Sequence, residues 1–95
     1  MAQSLTVVDN RTAGQFEIRT DAGVAVLTYV QRGDALDLVH TRVPRELEGQ
    51  GYATALAKAA LEDARAKGLK IIPTCPFVST YLRRHKEYAD LVQAG

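Results

Sequence analysis

The sequence predicts an α/β (α+β) domain built on a mixed, mainly antiparallel sheet of five strands, with one crossover helix and short C-terminal helices. Three observations lead to this fold class. Residues 5–43 alternate between apolar and polar side chains in short runs separated by turns, which is typical of antiparallel strands. From residue 51 the apolar residues recur with the period of a helix. A short apolar run at residues 69–73 follows that helix, so it is expected to pair in parallel with the fourth strand.

Length and composition restrict the class of protein. We expect one domain over residues 1–95, because 95 residues leave no room for a second. The net charge is +1, from 12 Lys and Arg against 11 Asp and Glu, so no general binding of nucleic acid is expected. The single cysteine excludes an internal disulfide, and no apolar run approaches the roughly 20 residues of a membrane span. We therefore expect a cytoplasmic protein without a membrane partner, either a monomer or a weak homodimer.

Four strands are predicted before the helix, at residues 5–9, 15–20, 23–31 and 35–43. Short turns join them, so they form an antiparallel meander. In the fourth strand, regular alternation assigns one face to Leu36, Leu38, His40 and Arg42, and the other to Asp37, Val39, Thr41 and Val43.

The second half of the chain is predicted to form a crossover unit. Residues 51–67 place five apolar side chains on one helical face, namely Ala53, Leu56, Ala57, Ala60 and Ala64. Gly68 is expected to end this helix in a left-handed conformation, and residues 69–73 form the fifth strand. Pro76 begins a second helix that runs to about His85, which places Cys75 at its N-cap. A last short helix is predicted at residues 86–92.

Gly49 and Gly51 lie between the fourth strand and the crossover helix. A glycine turn that opens a helix presents unpaired amides at the positive end of the helix dipole, which suits a phosphate or diphosphate. The alternative is a tight turn that packs against its own helix. The turn has neither the P-loop pattern nor the third glycine of the dinucleotide-binding fingerprint.

The order of meander, glycine turn, helix, strand and helix, with residues 48–53 at the turn, resembles the coenzyme A-binding core of the GCN5-related N-acetyltransferases. Nearly the whole chain resembles a small single-domain subfamily, through residues 36–41, 46–51, 68–77 (with a Pro-Thr-Cys-Pro-Phe motif) and 81–88. The chain departs from the family pattern at two positions. The superfamily turn usually starts with Gln or Arg where this chain has Glu48, and the subfamily often has proline where this chain has Lys86.

The resemblance implies that acetyl-CoA is the co-substrate and that backbone groups bind most of it. Amides around the turn would bind the diphosphate, and the backbone of the fourth strand would bind the pantetheine arm. The residues that the resemblance implies for these contacts are Thr41, Arg42, Val43, Leu47, Glu48, Gly49, Gln50, Gly51, Tyr52 and Ala53. The acyl group would then lie near His40 and Cys75. No metal is expected, because Cys75 and the histidines lack ligand spacing.

Three side chains are candidates for catalysis, and each has a structural alternative. Cys75 is predicted to accept the acyl group or to return a proton to the coenzyme A thiolate; the alternative is an apolar core residue. His40 is a possible base or a core histidine, and Tyr81 a possible proton donor or a packing residue. Glu46 is a further possible base, with a solvated loop carboxylate as the alternative. Candidates for binding the 3′-phosphate of the coenzyme are Arg45, Lys58, Arg83, Arg84 and Lys86.

The function expected from these residues is an acetyl-CoA-dependent N-acetyltransferase. Its acceptor would be a small-molecule amine or a side chain on a protein surface, since the chain has no obvious acceptor lobe. The alternative function is an acyl-CoA-binding sensor that retains the cleft without turnover.

Overall fold

The structure, a computed structural model, describes residues 5–93 as a five-stranded sheet with two α-helices. The strands are β1 Val8–Asn10, β2 Gln15–Thr20, β3 Gly23–Arg32, β4 Ala35–Arg42 and β5 Lys70–Ile72. The helices are α1 Tyr52–Lys67 and α2 Pro76–Arg84, and 3₁₀ turns occupy Arg45–Leu47 and Lys86–Leu91. The sheet has the order β1-β2-β3-β4-β5, with β4 and β5 parallel and the other pairs antiparallel. The predicted fold class is confirmed.

The first strand differs from the prediction, which placed it at residues 5–9. β1 begins only at Val8, and its pairing with β2 covers three residues, ending at Asn10 opposite Gln15. Leu5 and Val7 are partly buried and pack against the core without pairing. Their alternation with polar neighbours therefore reflects side-chain packing and not a strand.

The core lies between one face of the sheet and α1. Leu56, Ala60 and Leu61 of the helix are fully buried, as is Leu27 of β3. Burial of one such leucine stabilises the fold by roughly 2 kcal/mol. The small alanine side chains let the helix axis approach the sheet closely. Among residues 5–93 no helix has the length and hydrophobicity that crossing a membrane requires.

β4 contains a β-bulge that changes which side chains face the core. Tyr29 of β3 pairs with Leu38, whereas the preceding Thr28 pairs with His40, so Val39 is an extra residue in β4. A single extra residue reverses the alternation of every side chain beyond it. Thr41, opposite the buried Leu27, consequently shares the core face with Leu38. The predicted common face for Leu36, Leu38, His40 and Arg42 is therefore wrong beyond Val39.

β4 and β5 pair over only a short distance and then separate. The parallel pairing ends at Asp37 opposite Ile72, and the last backbone bond joins the Cys75 amide to the Leu38 carbonyl at 2.8 Å. Pro73 follows β5 immediately and has no N–H to extend the ladder. Within residues 5–93, the part of β4 beyond Leu38 therefore has no strand partner from β5.

The C-terminal segment supports the other side of β5. Val92 forms a parallel bridge with Ile71, and the Gln93 amide donates to the Ile71 carbonyl at 2.9 Å. Tyr88 and Leu91 of the last 3₁₀ turn are buried in the core. The last predicted helix is thus a 3₁₀ turn followed by a short strand-like contact.

Candidate functional site

The turn before α1 is shaped by two glycines in left-handed conformations. Gly49 has φ 78° and Gly51 has φ 86°, values that an L-residue adopts only with strain. Among the hydrogen bonds within residues 5–93, the amides of Gly49, Gln50 and Gly51 find no acceptor. The first amides of α1, from Tyr52 onward, also lack intrahelical acceptors, and no side chain caps the helix. The turn therefore concentrates unpaired donors at a helix N-terminus, where an anion is stabilised.

A cleft of about 250 Å³ opens beside this turn. Its walls come from the end of β4, the turn, the first turn of α1 and the start of α2, and its lining residues are Val43, Leu47, Glu48, Gly49, Gly51, Tyr52, Ala53, Thr54 and Phe77. Seven of the ten predicted coenzyme-binding residues are in this list. Thr41, Arg42 and Gln50 are not, and the Gln50 side-chain amide instead donates to the Glu46 carbonyl at 3.0 Å. The glycine turn, Val43 after β4 and Phe77 of α2 thus line one groove.

Cys75 lies at the N-cap of α2, as predicted, and its side chain is 3% exposed. Its Sγ atom is 3.3 Å from the Oγ1 atom of Thr41, and either atom can donate the hydrogen bond. The Cys75 carbonyl accepts the first bond of α2, from Ser79, at 3.0 Å. The thiol is therefore held between the bulged half of β4 and the start of α2, and Cys75 does not line the cleft.

His40 does not lie beside Cys75. It pairs with Thr28 on the face of the sheet opposite Leu38, and it is exposed. Both the expected proximity to the thiol and the core-histidine alternative are wrong for this residue. The bulge at Val39 is the cause, since it exchanges the positions that His40 and Thr41 would have in a regular strand.

Tyr81 lies in a second, adjoining cavity of about 160 Å³. This cavity is lined by Thr54, Phe77, Thr80, Tyr81, Arg84 and His85. The rings of Tyr81 and His85 stack with centroids 4.0 Å apart and planes inclined by 19°. Burial, followed by the nearby carboxylates of Glu87 and Glu62, raises the pKa of the Tyr81 hydroxyl above its usual value. The phenol consequently stays protonated to a higher pH than an ordinary tyrosine does.

The structure therefore separates the three predicted catalytic side chains. Cys75 is buried between β4 and the start of α2, Tyr81 lines the second cavity, and His40 is on the other face of the sheet. Sequence reasoning missed the contact between the Thr41 hydroxyl and the thiol, because regular alternation placed Thr41 on the wrong face. It also missed Phe77, which lines both cavities and is 37% exposed. An apolar side chain in the first turn of a helix that follows Cys75 was an available signal for the latter.

A buried carboxylate supports the end of β5 next to Cys75. Asp37 is 7% exposed and accepts hydrogen bonds from the Thr74 hydroxyl and from Arg32 Nε, the latter at 3.0 Å. The Thr74 bond, followed by Arg32, holds the pKa of Asp37 below its usual value. The charged carboxylate thus fixes the residue that immediately precedes Cys75. The sequence offered no signal for this pair beyond an acidic residue in an apolar strand.

The five cationic candidates for a phosphate contact also occupy different positions. Arg84 lines the second cavity, whereas Arg45, Lys58, Arg83 and Lys86 line neither of the two. Within residues 5–93, His, Cys, Asp and Glu side chains form no group of three or more with the arrangement of a metal site.

A family sequence model, related proteins and a solved structure each match most of this chain. A sequence model described as GCN5-related N-acetyl-transferase matches residues 15–91. Protein NATD1 of Xenopus tropicalis is 33% identical, with 97% of this chain and 89% of that protein covered. The human Protein NATD1 is 36% identical over 94% of this chain and 83% of its own length. The NMR solution structure of a GCN5-like protein from Staphylococcus aureus superposes with a TM-score of 0.74 at 32% identity, covering 96% of this chain and 90% of that one.

Proposed function

Because the chain belongs to the GCN5-related N-acetyltransferase family, we propose that its groove binds acetyl-CoA and that the protein transfers the acetyl group to an amine. One observation carries the proposal. The unpaired amides of residues 49–51 lie at a cleft whose walls also include Val43, at the end of β4, and Phe77, two residues after Cys75. In this proposal the diphosphate of acetyl-CoA lies at the amides of the turn, and its thioester lies toward Cys75.

Backbone amides bind the diphosphate in this proposal. The unpaired N–H groups of residues 49–51 and of the first turn of α1 carry partial positive charge at the N-terminus of α1. No side-chain cap forms hydrogen bonds with the N–H groups of this helix end, so they remain available to the diphosphate. The neighbouring Glu48 carboxylate opposes this binding electrostatically, so its contribution to affinity is negative. The turn thus supplies affinity without taking part in the reaction.

The pantetheine arm then follows β4 from Val43 toward Thr41. The backbone of β4 beyond Leu38 has no β5 partner within residues 5–93, so it can form ladder-like hydrogen bonds with an amide-containing chain. An N–H group of this edge also suits polarisation of the thioester carbonyl. This path ends at the contact between the Thr41 hydroxyl and the Cys75 thiol.

Two balanced routes lead from this arrangement to an acetylated amine. In the first, the Cys75 sulfur attacks the thioester carbon and coenzyme A leaves as its thiol with the proton of Cys75. The acceptor nitrogen then attacks the acetyl carbon, and Cys75 leaves as its thiol with the proton that the nitrogen loses. In the second, the amine attacks the thioester directly, the carbon–sulfur bond breaks, and the Cys75 thiol gives its proton to the departing thiolate. The proton that the acetylated nitrogen loses then restores the Cys75 thiol. In both routes Thr41 orients the sulfur. His40 has no part in either route because of its position on the other face.

A non-catalytic acyl-CoA binder is the second candidate function. Its support is the separation of Cys75, Tyr81 and His40, together with the burial of the thiol. The two functions share the coenzyme but differ in turnover.

The test begins with thermal unfolding of the protein with and without acetyl-CoA. Binding to the folded state raises Tm in proportion to the logarithm of ligand concentration, and we expect such a rise. Intact-mass measurement after incubation, with peptide mapping, then looks for an acetyl group on Cys75. Release of coenzyme A in the presence of amine acceptors supports the transferase, whereas a Tm rise without any release supports the binder. No effect of acetyl-CoA on Tm would contradict both.

A further inference from the structure

Asp37 is a buried carboxylate that neither route of acetyl transfer uses. It belongs to β4, at the position where the pairing of β4 with β5 ends, and it is 7% exposed. A charged side chain is seldom buried unless it has partners. Its partners are Arg32 of β3, whose Nε donates at 3.0 Å, and the hydroxyl of Thr74, two residues after β5. We call these three residues the Asp37 network.

Thr74 and Cys75 contact β4 on opposite faces of the sheet. Asp37 alternates with the buried Leu38, so its side chain lies on the face away from α1, and Thr74 contacts it there. Thr41 shares the core face with Leu38, and its hydroxyl contacts the Cys75 sulfur. The Cys75 amide also donates to the Leu38 carbonyl at 2.8 Å. The peptide unit that joins Thr74 to Cys75 is therefore attached to β4 by two side-chain contacts and one backbone bond.

We propose that the Asp37 network positions the Cys75 thiol for acetyl transfer, with Asp37 and Thr74 as positioning residues. The inference rests on the proposed function, because it assigns these residues a role in that reaction. Neither residue lines the coenzyme groove, so both act through Cys75 and not on the coenzyme. Without the Thr74 hydroxyl, β4 holds Cys75 only through the Leu38 carbonyl and the Thr41 hydroxyl. A small displacement of a reacting atom is sufficient to slow a reaction.

The charge of Asp37 strengthens its bond with Thr74. Hydrogen bonds to a charged acceptor are roughly twice as strong as bonds between neutral groups. The Thr74 bond, followed by Arg32, holds the pKa of Asp37 below its usual value, so the carboxylate is charged at neutral pH. Pro73 and Pro76 flank the segment, and each fixes its own φ angle. Few backbone rotations thus remain between the two prolines, and the Asp37 network restricts them.

Alkylation of Cys75 by iodoacetamide measures how firmly the thiol is held in the free protein, without acetyl-CoA. Cys75 is the single cysteine of the chain, so the intact mass follows the reaction directly. Thr74→Val should react about tenfold faster than the wild type, because it loses a hydrogen bond to a charged group and the segment opens more often. Thr74→Ser retains the hydroxyl and should react at the wild-type rate.

Tyr88→Phe is the matched control for the lost hydroxyl. The Tyr88 hydroxyl also donates to a carboxylate, that of Glu62, but neither residue lines the groove. This variant should be less stable than the wild type and show the same alkylation rate.

Two arginine variants test the cation of the network. Arg32→Ala should accelerate alkylation about threefold, a smaller effect than that of Thr74→Val because an exposed ion pair is screened by solvent. The Arg32 side chain is 60% exposed. Arg19→Ala is its control, since Arg19 is equally exposed at 60% and pairs with the buried Glu17 of β2. It should leave the alkylation rate unchanged.

Steady-state kinetics and calorimetry then separate positioning from binding. In Thr74→Val we expect kcat to fall about tenfold, while the affinity for acetyl-CoA changes by about twofold or less. Thr74→Ser should restore kcat. A purely structural role would lower Tm and leave kcat unchanged at temperatures where the variants are folded, which is the result expected for Tyr88→Phe.

Equal alkylation rates for Thr74→Val and the wild type would overturn the inference, as would an equal acceleration by Tyr88→Phe. A wild-type kcat in Thr74→Val would also overturn it, although acetyl transfer itself would stand. Absence of acetyl transfer by the wild type would overturn the proposed function. The alkylation rates would then decide alone whether the Asp37 network holds the thiol in place, so the two failures are distinguishable.

Discussion

The hydroxyl of Thr41 lies 3.3 Å from the thiol of Cys75, and this contact joins two elements that are 34 residues apart. Thr41 reaches the thiol only because β4 contains the extra residue Val39. Cys75 reaches it because α2 starts directly after β5, with Pro76 at its first position. The contact therefore depends both on the β-bulge at Val39 in β4 and on the start of α2 at Pro76.

We expect Cys75→Ala to lower acetyl transfer by about 100-fold or more, which is the lower range for loss of an acid–base or nucleophilic group. Acetyl-CoA should still raise Tm in this variant, since the turn at Gly49 and Gly51 is unchanged. Removal of the buried sulfur should also destabilise the fold by about 1 kcal/mol. Steady-state kinetics and thermal unfolding measure the two effects.

Thr41→Val is the companion variant, because it retains the shape of the side chain and removes the hydroxyl. It should reduce turnover less than Cys75→Ala does, since the sulfur is still present but the hydroxyl no longer hydrogen-bonds it. Turnover unaffected by Cys75→Ala would remove Cys75 from the reaction, although the protein would remain a transferase.

The positive φ of Gly51 has both a structural and a functional consequence. A Cβ at this position meets no atom within 4 Å, so Gly51→Ala is expected to destabilise the fold by strain alone, about 1–2 kcal/mol. The same Cβ enters the groove beside the unpaired amides and should weaken acetyl-CoA binding about tenfold or more. Gly33→Ala provides the control, because Gly33 also has a positive φ and open space but lies in the β3–β4 turn. It should reproduce the fall in Tm without the loss of affinity, and equal losses of affinity in both variants would refute a specific role for Gly51.

Glu48→Gln is expected to increase the affinity for acetyl-CoA about threefold at low salt, because it removes a negative charge from the wall of the diphosphate site. The gain should diminish at high salt through screening. Glu46→Gln is the matched control, since this exposed carboxylate is two residues away and does not line the groove. Calorimetry at two salt concentrations measures the effect. A loss of affinity in Glu48→Gln would mean that the carboxylate contributes a favourable contact.

Stability at acidic pH is expected to depend on Asp37 and Thr74. The pKa of Asp37 is lower in the folded chain than its ordinary value of 3.8, first because Thr74 donates to it. Its contribution is therefore complete above about pH 4 and is lost as the pH falls through the lowered pKa of the folded state. Thr74→Val should lower the free energy of unfolding by about 1–3 kcal/mol at pH 7, and this difference should shrink at lower pH.

Urea unfolding of the wild type and Thr74→Val between pH 2 and pH 7 measures this dependence. Thr80→Val serves as the control, because its exposed hydroxyl contacts only the side chain of Arg83 within residues 5–93. A difference for Thr74→Val that stays constant over the whole pH range would show that the hydroxyl stabilises the fold independently of the carboxylate.

Short sequence patterns correctly predicted the parts of the fold that one or a few neighbouring residues determine. The bounds of β2, the left-handed cap at Gly68 with φ 71°, and the start of α2 at Pro76 all agree with the sequence prediction. Each depends on a turn residue or a change of period that is visible within a few positions. The parallel crossover to β5 followed in turn from the order of these elements.

The catalytic candidates depended on information that no local pattern contains. Whether His40 or Thr41 faces Cys75 is decided by pairing with β3, since only the partner strand reveals that Val39 is an extra residue. The position of Phe77 between the two cavities is also set by how α2 packs on α1. Both properties depend on tertiary packing. The sequence was therefore sufficient to select candidate residues but not to predict which of them lie close together.

Val39 also makes β4 unusually sensitive to changes in length. Deleting it would restore regular alternation, so that Thr41 would turn away from the core and His40 would turn toward it. Every side chain between the bulge and Val43 would change sides at once, although no amino acid there had been replaced. The positions of His40 and Thr41 therefore depend on the number of residues in this strand and not on the identity of Val39.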